Sequence, residues 1–273
     1  MRSFFSLLAA VLLFSSCSKF SKVQKSTDYE YKLKMADTYF EKKKYYYAQQ
    51  LYEELFPVFK GTEKFEDLYY KFAYSFYNMR DYLSAENYFK GFLEVFPTSP
   101  RAEEMDFMRA FSYYKQSPKV ELDQANTYKA MNMMQTFINT HPGSEKVKEA
   151  TAIIDECRAK LELKEYRNAE LYYNVGQYRA AGIAFTALMN NFPDSYKSEE
   201  YKIQVIKSYY QFASMSIPEK KRERFEQVIG EVNDFSDRFP ESKLLPEAKR
   251  YLTLSQNNIN AVTNEQVKKT TGR

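Results

Sequence analysis

Four short segments of the chain end alike: FPTSP at 96–100, HPGSE at 141–145, FPDSY at 192–196 and FPESK at 239–243. Their prolines, Pro97, Pro142, Pro193 and Pro240, stand 45, 51 and 47 residues apart. A period in this range constrains the fold strongly, because each copy must be one small unit stacked on the next. Every closure follows an apolar stripe with helical spacing. A Pro there can stop the helix, and the Ser two residues later can cap the next one.

Reading backward from each closure gives a grid of small and ring residues. Ala73, Phe76, Ala85, Phe89 and Phe92 precede Pro97; Ala110, Tyr113, Ala130, Met134 and Phe137 precede Pro142. Ala169, Tyr172, Ala181, Phe185 and Leu188 precede Pro193. Ala36, Tyr39, Ala48, Tyr52 and Leu55 form a first copy in which Lys60-Gly61 replaces the closing Pro. Small residues let two antiparallel helices approach, and rings fill the space between pairs. This is the tetratricopeptide signature. It predicts an all-α, tetratricopeptide-like right-handed solenoid of about five helix pairs with a C-terminal capping helix. The repeats fall at 28–61, 66–99, 103–144, 145–195 and 197–242, the cap at 244–262, and 263–273 reads as a disordered tail.

Within this frame the paired Ala residues are twelve apart in repeats one, two and four and twenty apart in repeat three. An eight-residue insertion is therefore expected around Gln116 to Asp123, with Pro118 marking a loop. No breaker interrupts Glu145 to Tyr173, which predicts one long helix there. The fifth pair, Tyr201 to Phe212 and Phe225 to Phe239, keeps the periodicity and Pro240, with a loop expected from Ser214 to Arg222. Lys42-Lys43-Lys44 and Lys220-Lys221-Arg222 are placed in turns.

Composition agrees with repeated aromatic packing. The 273 residues include 25 Tyr and 22 Phe but no Trp, and only 7 Gly and 9 Pro, too few for a turn-rich β protein. The net charge of +4 comes from interspersed signs, so no nucleic-acid stripe is implied. One His and two Cys leave no His-rich metal site and no disulfide framework. His141 stands where the other closures have Phe and reads as a packing substitution; Cys157, among Ile153, Ile154 and Leu161, reads as a buried small residue. The pairs Glu53-Glu54, Glu103-Glu104 and Glu199-Glu200 read as solvated helix faces. No metal, cofactor, small-molecule substrate or enzymatic activity is expected.

The N-terminus reads as an address. Met1-Arg2 is positive, Ser3 to Phe14 is largely apolar and too short to span a bilayer, and Ser15-Ser16 leads to Cys17. The run Leu13-Phe14-Ser15-Ser16-Cys17 resembles a bacterial lipobox, which implies a signal peptide at 1–16 and a lipid anchor on Cys17. Residues 17–27 then read as a polar tether. Its Lys19, Lys22 and Lys25 can reach anionic headgroups weakly, with a solvated linker as the expected use.

Stacked helix pairs expose an extended surface lined by first helices, suited to a peptide or a protein domain. The grid assigns Tyr70, Tyr74, Tyr77 and Asn78 of repeat two, and Phe107, Phe111 and Tyr114 of repeat three, to such a groove, with half or more of the rings expected in the core.

Beyond the repeat grid, Glu104-Met105-Asp106-Phe107-Met108-Arg109-Ala110, Leu122-Asp123-Gln124-Ala125 and the segment CRAKLELKEYRNAELYYNVGQY at 157–178 resemble the BamD family, the lipoproteins of the outer-membrane β-barrel assembly machine. The resemblance covers nearly the whole chain after Cys17. It implies a scaffold at the outer membrane, facing the periplasm. Its partners would be the periplasmic domains of a barrel-forming, BamA-like insertase and unfolded outer-membrane proteins. By position it places an insertase contact at Tyr172, Tyr173 and Arg179. The missing Pro of repeat one and the weak fifth repeat depart from the pattern. Another tetratricopeptide envelope lipoprotein, an adaptor in cell-wall synthesis, gliding or secretion, would need the same stack. A glycan-binding lipoprotein would be expected to use Trp, which is absent.

Overall fold

The computed structural model describes residues 19–271, with side chains through Asn264. All regular structure among them is helical: α1 (19–24), α2 (Tyr29–Glu41), α3 (Tyr45–Phe59), α4 (Phe65–Asn78), α5 (Tyr82–Val95), α6 (Ala102–Gln116), α7 (Ala125–Thr140), α8 (Val147–Asn174), α9 (Tyr178–Asn191), α10 (Ser198–Ser214), α11 (Pro218–Arg238) and α12 (Leu245–Thr271). Two compact units are present, one ending at Arg158 and the other beginning at Ala159. In the first, each of α2 to α6 packs on the helix that follows it. In the second, α9, α10 and α11 do the same, and α12 also touches α10. Short connections between packed neighbours make the pairs antiparallel.

The turns inside repeats one, two and four share one backbone device. Lys43, Arg80 and Gly176 have φ of 56°, 65° and 79°. In each case the next amide reaches back to close the helix: Lys44 to the Tyr39 carbonyl at 2.8 Å, Asp81 to Phe76 at 3.0 Å and Gln177 to Tyr172 at 2.9 Å. This left-handed cap satisfies carbonyls the helix leaves open. It accounts for the constant spacing of twelve between paired Ala residues. Those residues, Ala36, Ala48, Ala73, Ala85, Ala110, Ala130, Ala169 and Ala181, are all fully buried. So are Tyr52, Phe89 and Phe92, each contributing about 2 kcal/mol or more by burial.

The closing serines do more than cap. Ser99, Ser144, Ser195 and Ser242 each accept from the amide two residues on, at 3.0, 3.1, 3.1 and 3.0 Å. Each hydroxyl also donates to a glutamate in the first helix of its own repeat. Ser99 reaches Glu66 at 2.7 Å, Ser195 reaches Glu162 at 2.5 Å, Ser242 reaches Glu199 at 2.6 Å, and Ser144 bonds Glu103. The next helix starts three residues after each serine, so the serine holds the turn and is not itself the N-cap. Repeat one closes instead on Gly61, whose φ of 84° ends α3 without a Pro.

The insertion in repeat three lies where expected, at 117–124 between α6 and α7. Gln124, 3% exposed, ties it by donating to the carbonyls of Lys119 at 2.8 Å and Leu122 at 2.9 Å.

Three expectations are corrected. The stretch read as a tether over 17–27 contains α1, with Phe20 and Val23 8% and 3% exposed against repeat one. Two apolar residues three apart are enough to dock one turn and a half of helix. The loop expected from Ser214 to Arg222 shrinks to 215–217. Pro218 is the first residue of α11, where its fixed φ and missing N–H suit a helix start. Lys220, Lys221 and Arg222 are therefore helical, with Lys220–Glu223 at 3.0 Å and Arg222–Glu226 at 3.0 Å along that helix. Finally, α12 runs past 262 to Thr271, because after Pro246 in its first turn no Pro or Gly occurs before Gly272. Residues 272 and 273 of the expected tail, the signal peptide 1–16 and Cys17 lie outside the described residues.

Candidate functional site

The expected groove lies in the first unit, on α4 and α6. Tyr70 and Tyr74 sit one turn apart on α4, ring centroids 4.7 Å apart, and both hydroxyls donate to Glu104 of α6, at 3.2 and 2.5 Å. Burial first, then the Glu104 carboxylate, raises both phenol pKa values. Tyr77 is half-buried, 6.3 Å from Phe111 of α6, and Phe111 stacks on Tyr114 at 5.6 Å. Tyr114 bonds Glu156, and that bond, then burial, pushes its phenol up to about 12. Lys115 stands 4.7 Å over Phe111. Asn78 is exposed and donates to the Tyr74 carbonyl at 2.8 Å.

The structure thus brings Tyr70, Tyr74, Tyr77, Phe111 and Tyr114 onto neighbouring helices. Phe107 is the exception. It is 2% exposed and packs on Phe137 at 5.4 Å, in the core with Ala110 and Met134, so it lines no open groove. Its ring still stacks on Phe111 at 5.7 Å, as part of the floor beneath the row and not of its open surface.

Charges continue the row. Lys71 bridges Asp37 of α2 at 2.9 Å and Asp67 at 2.7 Å. Arg101 holds Asp67 at 3.0 Å and lies 4.3 Å over the Tyr70 ring. Desolvation pushes the Asp67 pKa up, but Lys71 and Arg101 outweigh it and hold the carboxyl below its ordinary value. Glu104, read in the sequence as part of a solvated face, is thus a ring partner. Its signal is a carboxylate 34 residues after Tyr70 and 30 after Tyr74, one repeat further on.

In the second unit, Tyr172 is 46% exposed on α8, and Arg179 is exposed at the start of α9. Tyr173 is half-buried against Tyr178, with ring centroids 5.2 Å apart. Arg179 lines a cavity of about 210 Å³ with Phe212, Met215, Ser216 and Arg224. Arg224 lies 4.0 Å over the Phe212 ring and donates to Ser216 at 2.5 Å. Around this cavity and the adjoining turns, Leu171, Val175, Met215 and Ile217 are 60%, 59%, 75% and 63% exposed. Hydrophobic residues this open at two adjacent turns mark an interaction edge. A second cavity, of about 280 Å³, has Leu163, Tyr166, Tyr196, Lys197 and Tyr201 in its lining, with Tyr196 88% exposed. Neither Met215 nor Tyr196 stood out in the sequence, because both lie in turns outside the repeat grid.

Other candidates have structural partners. His141 packs on Phe137 at 5.0 Å and reaches Asp106 at 3.3 Å. Cys157 is fully buried. Glu54 neutralises the buried Lys32 at 2.8 Å. Among the described residues no cluster of His, Cys, Asp and Glu is disposed to hold a metal.

Comparison with known proteins identifies the lineage. An outer membrane lipoprotein family, YfiO, matches residues 26–223. The chain belongs to this family. The resemblance to BamD-type lipoproteins drawn from the off-grid segments is thereby borne out, and the consecutively packed helices bear out the all-α, tetratricopeptide-like class. Membership associates the chain with the outer membrane, and among the described residues no helix is long and apolar enough to cross a membrane.

Remote structural likenesses are also present. The TPR2AB domain of yeast Sti1, in complex with pHSP90, aligns at 10% identity and a TM-score of 0.41, over 84% of this chain and 98% of that one. A Rap protein complexed with competence and sporulation factor aligns at 13% identity and a TM-score of 0.33, over 89% and 79%. No curated protein matches the chain.

Proposed function

We propose that this chain is a non-enzymatic scaffold of the outer-membrane β-barrel assembly machine, held at the membrane by a lipid on Cys17 and facing the periplasm. It binds the periplasmic domains of the barrel-forming insertase and receives unfolded outer-membrane proteins. Family membership over residues 26–223 carries this reading. Two surfaces support it. The edge around Arg179 and Met215 offers exposed apolar contact with a cationic centre, a composition suited to a stable protein partner. The Tyr70–Tyr74–Tyr77–Phe111–Tyr114 row offers aromatic area with little entropy to lose, suited to extended polypeptide.

The test is affinity purification of the tagged, lipidated protein from its own membranes in mild detergent. Stoichiometric recovery of a barrel protein with repeated periplasmic domains is expected. Loss of that protein from Arg179→Glu preparations is expected as well. Recovery of cell-wall or secretion components in its place would overturn the assembly role.

A further inference from the structure

Docking of α1 creates a feature that neither the repeats nor the family reading uses. The Phe20 ring lies 4.6 Å from Tyr47 and 5.8 Å from Tyr39, which fixes the helix against repeat one. Lys19 and Lys22 of α1 are exposed, as are Lys42 and Lys44 in the turn between α2 and α3. These four lysines, with Tyr31, Met35 and Tyr39, line a cavity of about 400 Å³. No acidic side chain is among its lining residues. Among the described residues none of the four ammonium groups has an ion pair. The neighbouring cavity, between α2 and α4, mixes Glu30, Asp37 and Asp67 with Lys34 and Lys64. The charge segregation is therefore local to the α1 side.

Four ammonium groups around one concavity, with no counter-charge, attract an anion. Connectivity supplies the occupant. Cys17 precedes Lys19 by two residues, a reach of at most about 7 Å for any chain conformation. A lipid on Cys17 would hold Lys19 and Lys22 within about a Debye length of the bilayer surface. Two tyrosines stand at the same edge: Tyr31 in the cavity, 45% exposed, and Tyr46, 59% exposed and 5.9 Å from Tyr47. Tyrosine favours the headgroup level of a membrane, where one end of its ring is wet and the other apolar.

We propose that the cavity formed by Lys19, Lys22, Lys42 and Lys44 seats anionic phospholipid headgroups of the membrane that holds the Cys17 lipid. This rests on the lipid-anchored reading above. With the seat filled, the first repeat stands fixed against the bilayer. The acyl chains alone would leave it swinging.

The test uses the lipidated chain reconstituted in vesicles of phosphatidylcholine, with or without phosphatidylglycerol. Flotation reports anchoring, and the rate of amine labelling at each lysine reports contact. Flotation is expected with both vesicles. In the anionic vesicles alone, labelling at Lys19, Lys22, Lys42 and Lys44 is expected to slow by roughly fivefold, the scale of one lysine's attraction to an anionic surface. Lys90 and Lys129, exposed on other helices, serve as controls and keep their rates. The double variant Lys22→Glu, Lys44→Glu changes only exposed side chains; it should still float but lose the protection at Lys19 and Lys42.

Flotation with unchanged labelling in anionic vesicles overturns the seat and leaves the anchor standing. Equal protection in neutral vesicles, or by inorganic phosphate at matched concentration, also overturns it, as does protection that appears only when an acidic protein is added. A chain that does not float removes the anchored reading and this proposal with it.

Discussion

Replacing Ser195 by Ala takes one hydroxyl from the turn that joins repeats four and five. That hydroxyl donates to Glu162 at 2.5 Å and accepts from the Lys197 amide at 3.1 Å. A hydrogen bond to a charged group contributes about 1.5–3 kcal/mol when buried. This one is partly solvated, so about 1 kcal/mol is the better figure. Loss of the hydrogen bond from the Lys197 amide adds about 1 kcal/mol. The total, about 2 kcal/mol, stays modest because the carboxylate keeps a partner: the Tyr201 hydroxyl donates to the same Glu162 oxygen at 2.6 Å.

Glu162→Ala should be worse. It removes the carboxylate to which both the Ser195 and Tyr201 hydroxyls donate, and leaves Tyr201, 2% exposed, with the Ser195 hydroxyl alone, so one of the two donors loses its acceptor. An unsatisfied buried donor costs about 1–3 kcal/mol, which brings this variant to about 3 kcal/mol or more. In the double variant the serine has no carboxylate to lose, so the two effects should fall short of additivity by about 1 kcal/mol. Urea unfolding measures the totals. Hydrogen exchange of the Lys197 amide gives the local answer, which matters because the two units need not unfold together. The reasoning is refuted if Glu162→Ala costs no more than Ser195→Ala while the Lys197 amide exchanges as in the parent.

Phe92→Ala, at a fully buried ring, should cost about 3–5 kcal/mol, whereas Tyr196→Ala, at a ring 88% exposed, should stay within about 0.5 kcal/mol; thermal and urea unfolding measure both. Burial raises the phenol pKa of Tyr52, Tyr74 and Tyr201 and pushes Tyr69 up to about 12. A raised folded pKa gives stability that is complete below about pH 10 and lost as pH climbs toward the folded value. Tyrosinate absorbance of the buried rings should therefore appear only above about pH 10 and together with loss of helix; its completion with helix intact would be the contrary result. Asp67, held low by Lys71 and Arg101 against desolvation, stabilises the fold above about pH 4 and less as pH falls through its lowered folded value. Asp67→Asn should flatten that acid limb in a pH series of urea midpoints.

Much of this structure is legible from two periodicities. The Ala grid located the eight contact points between paired helices, since only a residue without bulk fits where backbones approach. Three FPxS closures and the HPGS closure located four repeat boundaries, and the missing closure of repeat one was already visible as Lys60-Gly61. What stayed hidden depends on contacts between repeats. Glu104 looks solvated in sequence, and becomes the acceptor for two tyrosines only when α6 lies beside α4. Phe20 and Val23 look incidental among lysines, and become buried only when repeat one offers Tyr39 and Tyr47 as a floor. Pro218 reads equally as a loop residue or as the first residue of a helix, and the choice falls to the stripe that follows it, Phe225, Val228, Val232 and Phe235, which is buried only when α11 packs on its neighbours.

Under the proposed function the two surfaces differ in what a ligand must displace. In the first unit the hydroxyls of Tyr70, Tyr74 and Tyr114 already have carboxylate partners, and Lys71 and Arg101 already have Asp67. A polypeptide laid on this row gains ring contact, but any hydrogen bond it takes from these groups breaks one already made. Its net gain is mainly area over rings that stay fixed, which favours weak binding tolerant of sequence. In the second unit Val175, Met215 and Ile217 leave more than half their surface in water, so covering them breaks no internal bond. Burial of that edge is gain almost throughout, at about 25 cal/mol per Å² of apolar surface before the cost of association. On the proposed function, a lasting partner would therefore sit at the Arg179–Met215 edge and a transient, extended substrate on the tyrosine row. This division fits a scaffold that must hold its insertase and release its cargo.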